Sequence, residues 1–188
     1  MGARLPESTE LNALVAGISL ARHGQTDYNA TRRFQGLLPV PLNATGREQA
    51  RGLAALAVEH GFVKLWCSPL VRARETAELV GARIGLEPVD DVRLVETDSG
   101  DWTDRLWSDV AAEDPERMAA FRRSDPDFAF PGGESYPHQA ARVMEALVDI
   151  AGGPKPALVV CHGVVIRLAV IALGRGSHSV PNAALIEL

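Results

Sequence analysis

Two histidine–glycine pairs, two arginines and one glutamate are the residues of this chain best suited to chemistry. Arg22-His23-Gly24 follows a short apolar run, and His162-Gly163 follows another, Ala157–Cys161. An imidazole flanked by a guanidinium and a flexible glycine suits a nucleophile beside an anion-binding group. A strand-end Arg and His that merely meet solvent would read the same way. Arg72 falls in the first turn of a helix, where the macrodipole disfavours a cation unless an anion is held there; a solvated surface Arg is the plain alternative. Glu96 ends a third apolar stretch and is either a proton donor at a crevice or a surface carboxylate. The helix after His162 opens with no Asp, Ser or Thr in capping position, so its first N–H groups need phosphate or water. The five histidines show no HxH or HExxH spacing.

The elements that must position these groups alternate. Val15–Ala21 reads as a strand buried on both faces, and Gln25–Pro41 as loop. A helix is expected from Thr45, whose spacing to Glu48 fits a capping box, and Gly61 should end it. Phe62–Cys67 is the next strand, and Ser68-Pro69 supplies an N-cap and first-turn pair for a helix to about Ala82. Val92–Val95 is a further strand candidate. Gly132-Gly133-Glu134-Ser135 introduces a helix to about Ala151. Ala157–Cys161 is a buried strand, Val164–Leu173 a helix, and Ala183–Leu188 a final strand. The pattern predicts an α/β fold, a three-layer sandwich with a mostly parallel central sheet and helices on both faces. Side chains at the carboxyl ends of such strands point into the functional crevice.

One domain spanning 1–188 is the default for a chain of this length. The departure from alternation is the stretch at about 101–133, rich in aromatic, acidic and Pro residues, which reads as a lid-like excursion with a small core of its own. Net charge is −5, against a general nucleic-acid surface but compatible with a local basic pocket. Of 19 basic residues only Lys64 and Lys155 are lysines, as either anion recognition or genomic base bias would produce. Cys67 and Cys161 lack metal spacing and suit a reducing compartment. Leu11–Ala21 has the length of a signal-peptide core, but Glu7 and Glu10 stand where positive charge is expected, and Pro6 breaks the myristoylation pattern. A cytoplasmic protein without a membrane span is expected, and a homodimer is left open.

Taken together, the blocks resemble the histidine phosphatase superfamily, the phosphoglycerate-mutase-like family. Arg22-His23-Gly24-Gln25-Thr26 with Asn29 looks like its signature, continued by Phe34-Gln35-Gly36, Pro41-Leu42 and Gly46. Ser68-Pro69-Leu70 with Arg72-Ala73 and Thr76-Ala77 resembles the block of the second phosphate arginine. Leu94-Val95-Glu96 with Gly100-Asp101-Trp102 resembles the acid block, and Gly132–Ser135 and His162-Gly163 match the last two.

The resemblance implies that His23 is the nucleophile that becomes phosphorylated. It further implies that Arg22 and Arg72 clamp the phosphoryl oxygens, that His162, Asn29, Gln35 and Gly163 complete the pocket, and that Glu96 protonates the leaving oxygen. Positioning and charge neutralisation then do most of the work, without a metal or other cofactor. The implied reaction is metal-independent hydrolysis of a small phosphorylated metabolite; nucleic acid and membrane are not implied partners. Trp102-Thr103-Asp104 stands where the family often has Trp-Glu-Gly, and Ser99 replaces a commonly larger residue, so Asp98 or Asp101 is an alternative acid. Only 26 residues follow His162, which suits a small phosphatase better than a mutase. The chain looks most like the α-ribazole and broad-specificity phosphatase branch, and Arg22–Asn29 is also similar to glucosyl-3-phosphoglycerate phosphatase. The other readings are a mutase-type phosphotransferase, a non-catalytic phospho-ligand binder, and a phosphoprotein phosphatase, whose peptide groove a covering excursion would disfavour.

Overall fold

Five strands form one sheet in the order β3-β2-β4-β1-β5: β1 Ile18–Arg22, β2 Lys64–Cys67, β3 Val89–Asp90, β4 Ala157–Cys161 and β5 Leu185–Glu187. The first four run parallel and β5 pairs antiparallel with β1. The computed structural model describes residues 8–176 and 179–188; Pro6, Glu7 and His178 lie outside them.

β4 is buried along its whole length, and its side chains alternate between two cores. Val159 and Cys161 join Ile18 and Leu20 of β1 against α1 (Ser8–Val15), α7 (Tyr136–Ala151) and α8 (Gly163–Ala172). Leu158 and Val160 join Ala21 and Leu65 against α3 (Ala44–His60) and α4 (Val71–Ile84). Helices therefore cover both faces. The chain leaves β1 toward the face of α3 but leaves β4 toward that of α8. Neighbouring parallel strands whose connections depart to opposite sides open a crevice at their carboxyl ends.

Some expected boundaries move. Val15 is not in the first strand: Leu11 and Val15, four residues apart, form the buried stripe of α1, and Gly17 at φ +84 turns the chain into β1. Asn43, not Thr45, caps α3, its Oδ1 accepting from Gly46 N at 2.8 Å. Ser68 is not an N-cap; α4 starts after Leu70 without a side-chain cap. Val92–Val95 is not a strand. Asp91 caps a single 3-10 turn over Val92–Leu94, Val92 is 71% exposed, and the ladder is made by Val89–Asp90 instead. The loop 25–41 contains a one-turn helix, α2 (Asp27–Ala30), closed by a reciprocal cap between Thr26 and Asn29. The last strand is shorter than expected, Leu185–Glu187, because Ala183 at φ +57 lies outside the extended region.

The excursion carries α5 (Trp107–Glu113) and α6 (Pro115–Arg123). Its Trp102, Phe121, Phe128 and Phe130 pack with Val110 and Met118 as expected of a local core, but Phe34, Tyr136 of α7 and Leu168 of α8 complete the cluster. No helix among the described residues is long and apolar enough to cross a membrane.

Candidate active site

Arg22 and Cys161 end their strands as register partners, and the ladder extends one step through His23 N donating to Cys161 O at 3.0 Å. His23 and His162 consequently emerge side by side, with ring centroids 5.2 Å apart and planes tilted by 58°. Both are fully buried. His23 Nδ1 lies 2.6 Å from the Gly24 carbonyl oxygen. A carbonyl only accepts, so Nδ1 carries the proton and Nε2 of the neutral ring keeps its lone pair. Burial holds the His23 imidazole well below the ordinary histidine range, and the Arg72 and Arg22 charges push it further. His162 is lowered by burial first, then by Arg72, His23 and Arg22.

The peptide at Gly24 is fixed by packing. A Cβ there would lie 2.2 Å from the Gly46 carbonyl oxygen, so only glycine lets the start of α3 press against the end of β1. Gly24 N donates to Thr76 Oγ1 at 3.1 Å, and Thr76 donates to the Arg72 carbonyl at 2.7 Å, which ties the histidine turn to α4.

Arg72 stands in the first turn of α4, as expected, and is buried rather than solvated, with Nη1 and Nη2 donating to the carbonyls of Leu38 and Gly36 at 3.0 and 2.9 Å. Burial lowers its pKa to about 10, which leaves it cationic at neutral pH. Arg22 donates from Nη1 to Val180 O at 2.6 Å, and Gly163 gives it room: a Cβ at 163 would lie 3.3 Å from Arg22 Nε. His162 Nε2 lies 2.7 Å from Ser68 Oγ. Arg22 Nε, Arg72 Nε and His162 Nδ1 are buried without a partner among the described residues. Buried polar groups of this kind are normally paired, so three of them grouped around the His23 ring suit an anionic ligand.

A cleft of about 380 Å³ opens in front of this cluster. It brings together Arg22, His23, Asn29, Gln35, Arg72, Glu96 and Gly163. His162 does not line it; it sits behind, against the His23 ring. Asn29 Oδ1 accepts from Thr26 N and Asn182 Nδ2, both at 3.1 Å, and Gln35 Oε1 accepts from Thr26 Oγ1 at 2.9 Å. Both carboxamides are thereby held with their NH2 groups unspent. Asp98 and Asp101, the alternative acids, are not on the cleft wall. Glu96 is, and its Oε1 accepts from Thr97 N at 3.0 Å while Oε2 accepts from Val164 N at 3.4 Å. One early N–H of α8 thus has a side-chain partner that capping patterns do not reveal.

Sequence reasoning missed the residues that hold this machinery. Arg142 donates to the carbonyls of Arg93 at 2.6 Å, Val95 at 2.8 Å and Glu96 at 3.3 Å, and grips Glu134 through two bonds of 2.8 Å. The Gly132–Ser135 block therefore holds the Glu96 loop as well as starting α7. Arg142 looks like any helical surface Arg in sequence, and so does Arg167, which lines the cleft from α8.

Fold and site together define an α/β enzyme with paired histidines in an arginine-walled anion site. A family model, Histidine phosphatase superfamily (branch 1), matches residues 18–185, and the chain belongs to that family. It is 35% identical over 178 residues to the metal-independent phosphoserine phosphatase of Arabidopsis thaliana, covering 92% of this chain and 75% of the relative. Phosphoglycerate mutase-like protein 4 of the same species is 38% identical over 157 residues, 81% of this chain and 68% of that one. The solved structure of mycobacterial glucosyl-3-phosphoglycerate phosphatase complexed with VO3 is 32% identical with a TM-score of 0.80, covering 89% of this chain and 88% of that one.

Proposed function

We propose that this histidine phosphatase hydrolyses a small phosphorylated metabolite in two steps through a phosphohistidine at His23. In the first, His23 Nε2 attacks phosphorus in line, the bond to the ester oxygen breaks, and Glu96 delivers a proton to the leaving oxygen. In the second, water attacks the phosphohistidine, Glu96 takes its proton, the N–P bond breaks, and phosphate leaves. Arg22 and Arg72 neutralise the equatorial oxygens with their unspent N–H groups, assisted by Asn29, Gln35 and the peptide at Gly163. Ser68 Oγ accepts from Leu70 N at 3.3 Å. In this reading its own proton serves His162 Nε2, which puts the imidazole proton on Nδ1, behind the His23 ring.

The observation that carries the reading is the state of His23: buried, neutral, its Nδ1–H pinned to a carbonyl and its Nε2 bare. No metal or other cofactor enters these steps. The same reading takes residues 1–188 as one domain with the 101–133 excursion as a lid. It places the enzyme in the cytoplasm, where Cys67 and Cys161 stay free, working on a soluble metabolite with neither nucleic acid nor membrane as a partner. A homodimer is compatible with it.

Hydrolysis of p-nitrophenyl phosphate in the presence of EDTA tests the proposal. Metal-independent turnover that inorganic phosphate inhibits is the expected result. No turnover, with phosphate still bound, would overturn it, and interconversion of phosphoglycerates without phosphate release would establish a phosphotransferase instead.

A further inference from the structure

The cleft holds more positive charge than one phosphoryl group requires. Arg22, Arg33, Arg72, Arg122 and Arg167 line it against a single carboxylate, Glu96. Arg33 pairs with Asp104, and Arg122 is exposed at the rim. Arg167 is different. Its guanidinium carbon lies 5.2 Å from the centre of the Phe121 ring and 5.6 Å from that of Tyr136, and Nη2 donates to Tyr136 Oη at 2.5 Å. Tyr136 Oη in turn donates to the Phe121 carbonyl at 3.4 Å. Two aromatic rings and a hydrogen bond hold this cation, so little side-chain entropy remains to be lost on binding. No carboxylate pairs with it among the described residues, and its Nε is buried without a partner. Trp107 Nε1, also on the cleft wall, is buried and unpaired too.

We infer that Arg167 is a specificity residue that binds a carboxylate on the substrate, making the preferred substrates phosphomonoesters of small hydroxy or amino acids. The inference rests on the phosphatase reading above and adds a substrate class to it. The geometry favours a planar anion. With the guanidinium packed beside two rings, a ligand approaches its in-plane edge, where a two-oxygen carboxylate matches the N–H fork. Trp107 N–H supplies one further donor. Position on α8 sets the spacing: Gly163 abuts Arg22 at the phosphoryl end, and Arg167 lies four residues on, one turn or about 6 Å along the same face. A short carbon chain spans that distance. The excursion contributes Phe121, so the aromatic core of the cover also holds the selecting cation in place.

The test uses O-phosphoserine and O-phosphoethanolamine, which differ only by the carboxylate, with p-nitrophenyl phosphate as reference. The wild type is expected to favour phosphoserine by roughly 10-fold or more in kcat/KM. Arg167→Met, which keeps the apolar stem, is expected to lower that value roughly 10- to 100-fold while changing phosphoethanolamine less than about 3-fold. Tyr136→Phe should erode the same preference in part, and it serves if Arg167→Met does not fold. A wild type that hydrolyses p-nitrophenyl phosphate but treats the pair alike, or a variant that loses both equally, overturns the inference and leaves the phosphatase reading standing. If no ester is turned over, the phosphatase reading fails, and calorimetric Kd values for the same pair decide this point: equal values overturn it.

Discussion

The imidazoles of His23 and His162 stand 5.2 Å apart, centre to centre, both enclosed and both facing the cations of Arg22 and Arg72. The fold therefore stores two neutral histidines that would each charge readily in the unfolded chain. Folded, both titrate well below the usual value, chiefly through burial. The unfolded state consequently binds more protons as pH falls below about 6.5, and stability must drop with it. We expect the melting temperature to fall between about pH 7 and about pH 5, before most carboxylates titrate. Calorimetry across that range checks this. His162→Gln should flatten the slope, and an unchanged slope in that variant would remove the histidine pair as its cause.

Ser68 is the hydrogen-bond partner of the second histidine. Its Oγ lies 2.7 Å from His162 Nε2, so Ser68→Ala leaves that nitrogen buried without its partner and the tautomer unspecified. Turnover should fall roughly 10-fold with the nucleophile intact. A kcat equal to wild type would mean that the hydroxyl only fills space.

Arg72 meets the cleft through one remaining edge, because two carbonyls hold its other nitrogens. Arg72→Ala should weaken phosphate or vanadate binding by roughly 1.5–3 kcal/mol, the value of a charged hydrogen bond. Arg72→Lys should not restore it, since an ammonium cannot reach both carbonyls and the ligand. Calorimetric titration with phosphate checks both, and unchanged affinity in Arg72→Ala would take the residue out of the clamp.

Much of this was legible in sequence. Five apolar residues in a row, Ala157–Cys161, form β4 as read, and Ser135 caps α7 where the Gly-Gly-Glu-Ser block suggested. Gly61, at φ +61, ends α3. What could not be read were relations across the chain. Val92–Val95 has strand composition, but the Asp91 cap turns it into a helical turn and the ladder needs only two residues upstream. Ser68 is a good N-cap locally, yet it serves a histidine 94 residues away. Arg142 and Arg167 announce nothing in sequence, because their importance comes from carbonyls and rings that tertiary packing delivers.

Glu96 depends on such packing. Glu96→Gln, which takes away the proposed proton donor, should cost roughly 10²- to 10⁴-fold on alkyl phosphates and much less on p-nitrophenyl phosphate, whose leaving group needs no proton. Arg142→Met, which frees the loop carbonyls and leaves Glu134 without its guanidinium, should reproduce part of that leaving-group dependence. Equal losses on good and poor leaving groups in Glu96→Gln would contradict the acid role.

The covalent step at His23 is the centre of the account. Rapid quenching of the enzyme during turnover of p-nitrophenyl phosphate, followed by digestion under alkaline conditions that preserve phosphohistidine, locates the phosphoryl group by mass spectrometry. The account requires an acid-labile phosphoryl group on the peptide containing His23, absent from His23→Ala, which should also have lost turnover. A His23→Ala enzyme that still hydrolyses the ester, or a phosphoryl group found on another residue, would contradict it.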